Sequence, residues 1–356
     1  MKIATILGAR PQFIKASMVS KEVIENSDVQ EVIIHTGQHF DENMSKIFFQ
    51  EMGIPAPKYN LGINTLPHGA MTGRMLEEIE KTLQKEKPDW VLVYGDTNST
   101  IAGALSAVKM HIPVAHVEAG LRSFNRKMPE EINRVLTDHL CDICFAPTDT
   151  AVKNLRTEGI SEEKIKLVGD VMFDASLYFS SILDKDSNFL QKLNLINGSY
   201  ILSTIHRPEN TDHRDRLQSI IEAFNQINSS NIVVLPIHPR TKRKLLQLKI
   251  KTDFITIDPV GYLHMLMLIK NCKMVLTDSG GLQKEAYYLK KCCVTIRDET
   301  EWVELVDYGV NVLTGANKRK IIDSFEKMLN NKDADFSKKL FGNGNTGKLI
   351  VEHLRV

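Results

Sequence analysis

Residues 113–134 read PVAHVEAGLRSFNRKMPEEINR. The first four, Pro113 to His116, form a short apolar run with strand character. A polar loop carrying Arg122, Arg126 and Lys127 follows. Pro129 then suits the first position of a helix, where its fixed φ and missing N–H do no harm. The opening turns of that helix hold Glu130, Glu131 and Arg134. A strand that hands over to a helix through a loop is one β–α unit. His116 and Glu118 are two residues apart, so they share a face at the strand's carboxyl end. Carboxylates and cations gathered at a strand end and a helix start read as a place for an anionic substrate and for proton transfer. A solvated loop before a capped helix is the plainer alternative.

Outward from this stretch the same unit repeats. Strands are expected over 3–7, 29–36, 90–94, 113–116 and 143–145, with helices over 11–24, 41–51, 69–86 and 100–109. A strand at 166–168 leads to a junction near 169–183 and a polar patch at 184–187. The second half has strands over 200–205, 232–236, 254–257, 274–277 and 293–296, and helices over 214–227, 261–271, 281–289 and 318–330. Such alternation implies parallel sheets built from right-handed crossovers. The expected fold class is therefore α/β, with Rossmann-like domains at 1–170 and 171–340. The segment FGNGNTG (341–347) breaks the chain before a last helix, so 341–356 is expected to return to the first domain.

Composition narrows the function. A chain of 356 residues suits two domains of roughly 150–180 residues. Hydrophobic content of 42% and charged content of 25% are those of an ordinary globular protein. A net charge of +1 gives no bulk field to draw a nucleic acid or a membrane surface. No apolar run approaches the ~20 residues that a membrane span needs, and the N-terminus does not read as a signal peptide. Five cysteines, with Cys141 and Cys144 in a lone CxxC, suggest buried thiols in a reduced, cytoplasmic protein. His116 and Glu118 lack a third ligand at short spacing, so no metal is expected.

In open parallel sheets ligands bind outside the carboxyl ends of the strands, and five strand ends carry chemistry. GARPQFIK (8–15) places Arg10 and Lys15 beside a helix start, which attracts anions through its free N–H groups. GDTNST (95–100) offers Asp96 either as a cap or as a second acid/base carboxylate, with Asn98 or Ser99 able to cap the helix. The third is the opening stretch. IHRPEN (205–210) brings His206 to the end of a buried strand. TDSGGLQKEA (277–286) gives a Ser279-Gly280-Gly281 turn, a cradle for a pyrophosphate, with Glu285 one turn further to accept from ribose hydroxyls. His238 ends another strand, and Tyr262 with the preceding backbone is placed to meet a base. Gln38-His39 faces the same edge of the first domain.

These motifs, in this order, resemble the non-hydrolysing UDP-N-acetylglucosamine 2-epimerase family, and the likeness spans nearly the whole chain. GARPQFIKA, LRSFNRKMPEEINR and RDETEWVELV resemble most a subgroup acting on UDP-2,3-diacetamido-2,3-dideoxy-glucuronate in bacterial surface-polysaccharide synthesis. The resemblance implies the glycosyltransferase-B fold, two Rossmann-like domains facing a central cleft that closes on the substrate. It implies a UDP-sugar substrate, no cofactor, and a homodimer. It implies C2 inversion by elimination of UDP to a 2-acetamidoglucal and its re-addition. Asp96, Glu118, Glu130 and His206 would be catalytic, with the acid and base roles open. Arg10, Lys15, His206, Ser279, Gly280 and Gly281 would hold the diphosphate, Glu285 the ribose, and Arg134 would support Glu130.

Three departures bear on this. Gln12 stands where the family has a glutamate, and Trp302-Val303 where many members have Arg-Pro. The stretch after Gln38-His39 differs from members with an allosteric UDP-sugar site, which argues against that regulation. A uronate substrate would need a cation, and Arg122, Arg126 and Lys127 are the candidates. The competing readings are a hydrolysing 2-epimerase, a glycosyltransferase of the same fold, and a nucleotide-sugar sensor.

Overall fold

The computed structural model describes residues 1–38, 49, 51–183 and 188–355. The polar patch at 184–187, His39 and most of the helix expected over 41–51 lie outside the described residues. The chain divides into two compact units. Unit one is Met1–Ala175 with Lys339–Val356, and unit two is Ser176–Lys338.

Unit one holds seven strands: β1 (Lys2–Leu7), β2 (Gln30–His35), β3 (Tyr59–Asn60), β4 (Trp90–Tyr94), β5 (Val114–Val117), β6 (Ile143–Ala146) and β7 (Ile165–Leu167). They form one parallel sheet in the order β3-β2-β1-β4-β5-β6-β7. Unit two holds β8 (Tyr200–Thr204), β9 (Ile232–Pro236), β10 (Ile255–Ile257), β11 (Met274–Thr277), β12 (Cys293–Thr295) and β13 (Asn311–Leu313), ordered β10-β9-β8-β11-β12-β13. The expected α/β class with two Rossmann-like domains is what the structure shows. Helices cover the sheets on both faces, so the central strands are buried and mostly apolar, with Val91, Leu92 and Val93 fully buried.

In each sheet the strand order reverses once. β1 pairs with both β2 and β4, and β8 with both β9 and β11. The connections leaving these central strands run in opposite directions, which opens a crevice at their carboxyl ends. Gly8 and Gly95 end the pair in unit one. His206 and Asp278 end the pair in unit two.

Some elements escaped the sequence reading. The helix Pro239–Leu248 buries only Thr241 and Leu245, too thin an apolar stripe to register. β13 is three residues long, and its Asn311 is held by the buried amide of Gln283 at 3.0 Å rather than by an apolar pattern. The terminal segment belongs to unit one. Asp170 N–H donates to the Phe341 carbonyl at 2.9 Å, and Gly347 N–H to Asp174 at 2.9 Å. The helix Thr346–Leu354 runs against Arg10–Glu25, so close that a Cβ on Gly347 would stand 2.8 Å from the Met18 carbonyl oxygen.

Candidate functional site

The ends of β4 and β5 lie side by side in unit one and carry two carboxylates, each with its own cation. Asp96 is ion-paired to Arg134, and Glu118 to Lys15. Asp96 is not a helix cap, because Thr97 takes that position and accepts from Thr100 N–H at 3.3 Å. Glu118 sits at φ 73°, in the left-handed region. For a residue with a side chain this costs roughly 1–3 kcal/mol and persists only where the surroundings enforce it. Gly95 also has positive φ, and a Cβ there would lie 3.1 Å from Lys15 Nζ and 3.5 Å from Glu118 Oε2. The glycine therefore makes room for the ion pair. Gly8 serves a similar purpose by close approach, since a Cβ would fall 2.0 Å from Ser99 Oγ.

The helix Pro129–Leu140 supports this corner with a polar buried face: Glu131, Arg134, Thr137 and Asp138. Burial of charged residues demands partners, and each has them. Glu131 accepts from Ser123 N–H and hydroxyl at 3.0 Å and from Phe124 N–H at 2.9 Å, fixing the loop after Glu118. Arg134 reaches Asp96 and, at 3.2 Å, Glu131. This corrects the expectation that Arg134 supports Glu130, which is exposed at the helix start. Asn133 donates to the Asp96 carbonyl at 3.0 Å.

Two further readings in unit one change. Lys15 faces Glu118, so its charge is committed to a carboxylate rather than standing open for a phosphate. Arg122 is 3% exposed and bound by Glu158 and Asp138, so it does not reach for a substrate carboxylate. Arg126 and Lys127 are exposed. His116 is fully buried with both ring nitrogens engaged, one by Asp138 and one by the Gly95 carbonyl, each at 2.7 Å. It has no nitrogen left for a metal, and no metal-binding group of His, Cys, Asp and Glu occurs among the described residues. The five cysteines are free thiols. Burial pushes Cys141 and Cys144 well up, so they are inert.

In unit two the organising residue is Asp278, fully buried at the end of β11. It accepts from the backbone N–H of His206 at 3.1 Å and of Arg207 at 3.0 Å, and from Asn210 Nδ2 at 3.2 Å. His206 is half-exposed, with Nδ1 3.3 Å from the same carboxylate.

Next to it Ser279 caps the helix Gly280–Tyr288, its hydroxyl accepting from Leu282 N–H at 3.4 Å. A Cβ on Gly280 would find its nearest neighbours at 3.7 Å, the guanidinium nitrogens of Arg207 and Arg297, and one on Gly281 would meet nothing within 4 Å. Two guanidinium groups thus border a helix start with open space above its glycines. Helix N-termini and arginine forks both recognise phosphates. Arg297 is 1% exposed and donates to Glu301 at 2.8 Å, which keeps the guanidinium in place. Arg207 and Arg297 were not expected as site residues, nor was Asp278. The signal was present for Arg297, a charged residue directly after the apolar run CCVTI.

The remaining expected residues are distributed as follows. Arg10 opens the helix Arg10–Glu25 at the end of β1. Glu285 is buried in the Gly280–Tyr288 helix. His238 caps Pro239–Leu248, its Nδ1 accepting from Arg240 N–H at 3.2 Å. Tyr262 is buried, its hydroxyl 3.4 Å from Ser176 Oγ and its ring edge-on to Phe179, so its ring is packed inside unit two rather than presented to a base. Gln38 receives Ser99 N–H and hydroxyl at 3.1 and 2.8 Å. No helix among the described residues is long and apolar enough to cross a membrane.

Known proteins resemble this chain in sequence and in fold. A profile of the UDP-N-acetylglucosamine 2-epimerase family matches residues 21–355. The chain is 53% identical, over 99% of both sequences, to UDP-2,3-diacetamido-2,3-dideoxy-D-glucuronate 2-epimerase of Pseudomonas aeruginosa. It is 50% identical, over 99% of both, to UDP-N-acetylglucosamine 2-epimerase of Methanocaldococcus jannaschii. The crystal structure of a Methanocaldococcus jannaschii UDP-GlcNAc 2-epimerase in complex with UDP-GlcNAc and UDP superposes with a TM-score of 0.92 at 49% identity, covering 100% of this chain and 99% of that one. The Neisseria meningitidis enzyme bound to UDP-GlcNAc gives 0.92 at 31% identity, with complete coverage of both. With its two parallel-sheet units and these strand-end residues, the chain belongs to the UDP-N-acetylglucosamine 2-epimerase family of isomerases.

Proposed function

We propose that the chain inverts C2 of a UDP-2-acetamido sugar of the UDP-GlcNAc type by loss and return of UDP. The observation that carries this reading is the pair of carboxylates at neighbouring strand ends, Asp96 and Glu118, each held by a buried cation. Inversion needs a proton taken from one face of C2 and one returned to the other, hence two differently placed acid/base groups. In this reading Glu118 takes the C2 proton as the C1–O bond breaks. The bonding pair leaves with the diphosphate, and a 2-acetamidoglucal remains. UDP then adds back to C1 while C2 is protonated from the opposite face. Asp96, Glu130 and His206 are the candidates for that second donor. The leaving diphosphate is assigned to Ser279, Gly280 and Gly281 with Arg207 and Arg297, because charge that develops on departure is best met by fixed donors. Arg10 and His206 join them in the proposal, and Glu285 takes the ribose.

A second reading, the same chemistry on UDP-2,3-diacetamido-2,3-dideoxy-glucuronate, is favoured by the 53% identity to the Pseudomonas enzyme. In that case Arg126 and Lys127, exposed on the loop after Glu118, meet the uronate. The proposal includes a cytoplasmic homodimer, supported by the exposed apolar pair Ile132 (44%) and Leu136 (51%) one helical turn apart. Sedimentation velocity tests the dimer. The decisive experiment supplies UDP-GlcNAc and, separately, its 3-acetamido-uronate analogue in deuterated water and follows C2 by NMR. Inversion with deuterium entry into one of them is expected. Free UDP accumulating with no return to a UDP-sugar would mark a hydrolase instead, and transfer to an acceptor a glycosyltransferase.

A further inference from the structure

Behind Asp96 and Glu118 lies a buried network that none of the proposed chemical steps uses. Asp138 is fully buried near the end of the helix Pro129–Leu140. One of its oxygens lies 2.7 Å from His116 Nδ1. The other accepts from Gly120 N–H at 3.0 Å and lies 2.7 Å from Arg122 Nη2. The far nitrogen of His116 donates to the Gly95 carbonyl at 2.7 Å. Arg122 in turn is gripped by Glu158 at 2.7 and 2.6 Å and donates to the Leu121 carbonyl at 2.6 Å.

The geometry links two turns. Gly95 immediately precedes Asp96, and Gly120 follows Glu118 by two residues. Both glycines and Glu118 itself have positive φ, at 63°, 82° and 73°. The glycines reach that region freely, but Glu118 is strained there and stays only while its neighbours hold it. The holding groups are a carbonyl pinned by His116 and an amide pinned by Asp138. Burial alone would push the Asp138 carboxyl up, but His116 and Arg122 outweigh it and keep it below the usual range. Asp138 is therefore an acceptor on both oxygens.

We propose that Asp138 is the positioning residue of unit one: through His116 and the Gly120 amide it fixes the turns that present Asp96 and Glu118, while touching no substrate itself. This rests on the reading of Asp96 and Glu118 as acid/base groups. Misplacing a reacting group by about 1 Å costs on the order of 100-fold in rate without loosening the rest of the substrate. A fixed turn should thus show in kcat and not in UDP affinity.

The test compares Asp138→Ala with Asp138→Asn, measuring kcat and KM by C2 inversion, UDP affinity by calorimetry, and amide exchange of the 118–122 segment by mass spectrometry. In Asp138→Asn the amide oxygen still accepts from Gly120 and Arg122. Its NH2 donates to a His116 that keeps only its Nε2 proton. The lattice of bonds survives without the carboxylate charge, and kcat should stay within about tenfold of the parent. Asp138→Ala should lose about 100-fold in kcat, keep UDP affinity within about twofold, and exchange its Gly120 amide faster. An Ala variant with parental kcat overturns the proposal, as does an Asn variant damaged as badly as Ala. Should Asp138→Ala fail to fold, Asp138→Asn and His116→Gln replace it. Unchanged kcat in His116→Gln, which removes the ring that holds the Gly95 carbonyl, then refutes the link. If the parent enzyme inverts neither UDP-sugar, the reading of the site has failed, and amide exchange in the variants still decides whether Asp138 holds the turn.

Discussion

Gln12 Nε2 donates to the Tyr94 carbonyl at 2.8 Å while Gln12 Oε1 accepts from the N–H groups of Gly8 and Ala9 at 2.8 and 2.9 Å. One buried amide thus ties the end of β1 to the end of β4, the two strands flanking the crevice of unit one. It needs an acceptor on one side and a donor on the other, which glutamine supplies and an ionised glutamate does not. Gln12→Met, of similar size, should lose about 2–4 kcal/mol by leaving the Gly8 and Ala9 N–H groups unpaired, while the Tyr94 carbonyl keeps the Thr100 hydroxyl at 2.7 Å. Gln12→Glu would set a carboxylate oxygen against the Tyr94 carbonyl. Its carboxyl should hold its proton in the folded state to higher pH than in the unfolded chain. Stability is then lost as pH rises, so the variant should be near-parental at pH 5 and about 1–3 kcal/mol weaker at pH 8. Thermal unfolding at the two pH values measures this. An equal deficit at both would mean that the proton is not what the site lacks.

Glu118 offers a kinetic test. It is the only acid/base candidate in unit one with left-handed backbone and a lysine partner. Removing a general base typically costs 10²–10⁴-fold. Glu118→Gln should therefore lower both C2 inversion and C2 hydrogen exchange by roughly that factor, with UDP affinity unchanged. An enzyme that still exchanged the C2 hydrogen with deuterated water at the parental rate would remove Glu118 from the role. Lys15→Met should follow the same pattern in kcat, because its amine touches Glu118. Loss of UDP affinity in that variant would instead return Lys15 to the diphosphate.

The strand ends were legible because an apolar run that stops at a charged residue is a one-dimensional pattern. Glu118 after VAHV and Asp96 after VLVYG announce themselves. What stayed hidden was the pairing of those charges. Arg122 in a polar loop looks solvated, and only the fold brings it to Glu158, 36 residues on. The resemblance pairs Arg134 with Glu130, yet the guanidinium turns to Asp96, 38 residues back. Glu130 and Glu131 are indistinguishable in sequence. The helix phase buries the second and exposes the first. Arg297 needed only the strand-end rule applied once more.

The cradle at Gly280 separates stability from binding. Nothing of its own unit lies within 3.7 Å of a Cβ at that position, so Gly280→Ala adds a methyl where the protein has room. Alanine also favours the helix, by up to about 1 kcal/mol over glycine. The variant should unfold at the same temperature or higher. If the diphosphate sits there, the methyl meets it, and UDP affinity should fall at least tenfold by calorimetry. Arg207→Ala should likewise lose about 1.5–3 kcal/mol of UDP binding, the worth of a charge-assisted hydrogen bond. Unchanged affinity in both would place the diphosphate elsewhere.

Asp174 makes the terminal segment sensitive to pH. Its carboxylate accepts from Gly347 N–H at 2.9 Å, at the start of the helix Thr346–Leu354. Burial pushes it up to about 6, against the pull of the bonds from Gly347 and Thr346. An unfolded chain releases the same proton near pH 4. The folded state thus binds more protons between about pH 4 and 6, and stability falls as pH rises through that window, then levels off above it. A shift of this size corresponds to something on the order of 2–3 kcal/mol. Asp174→Asn keeps an oxygen for Gly347 but has nothing to ionise. It should therefore be more stable than the parent by that order at pH 8, with the gain shrinking toward zero near pH 4. Denaturant unfolding across the range reads the difference directly. A gain that is the same at pH 4.5 and pH 8 would show that the buried charge is not the cause.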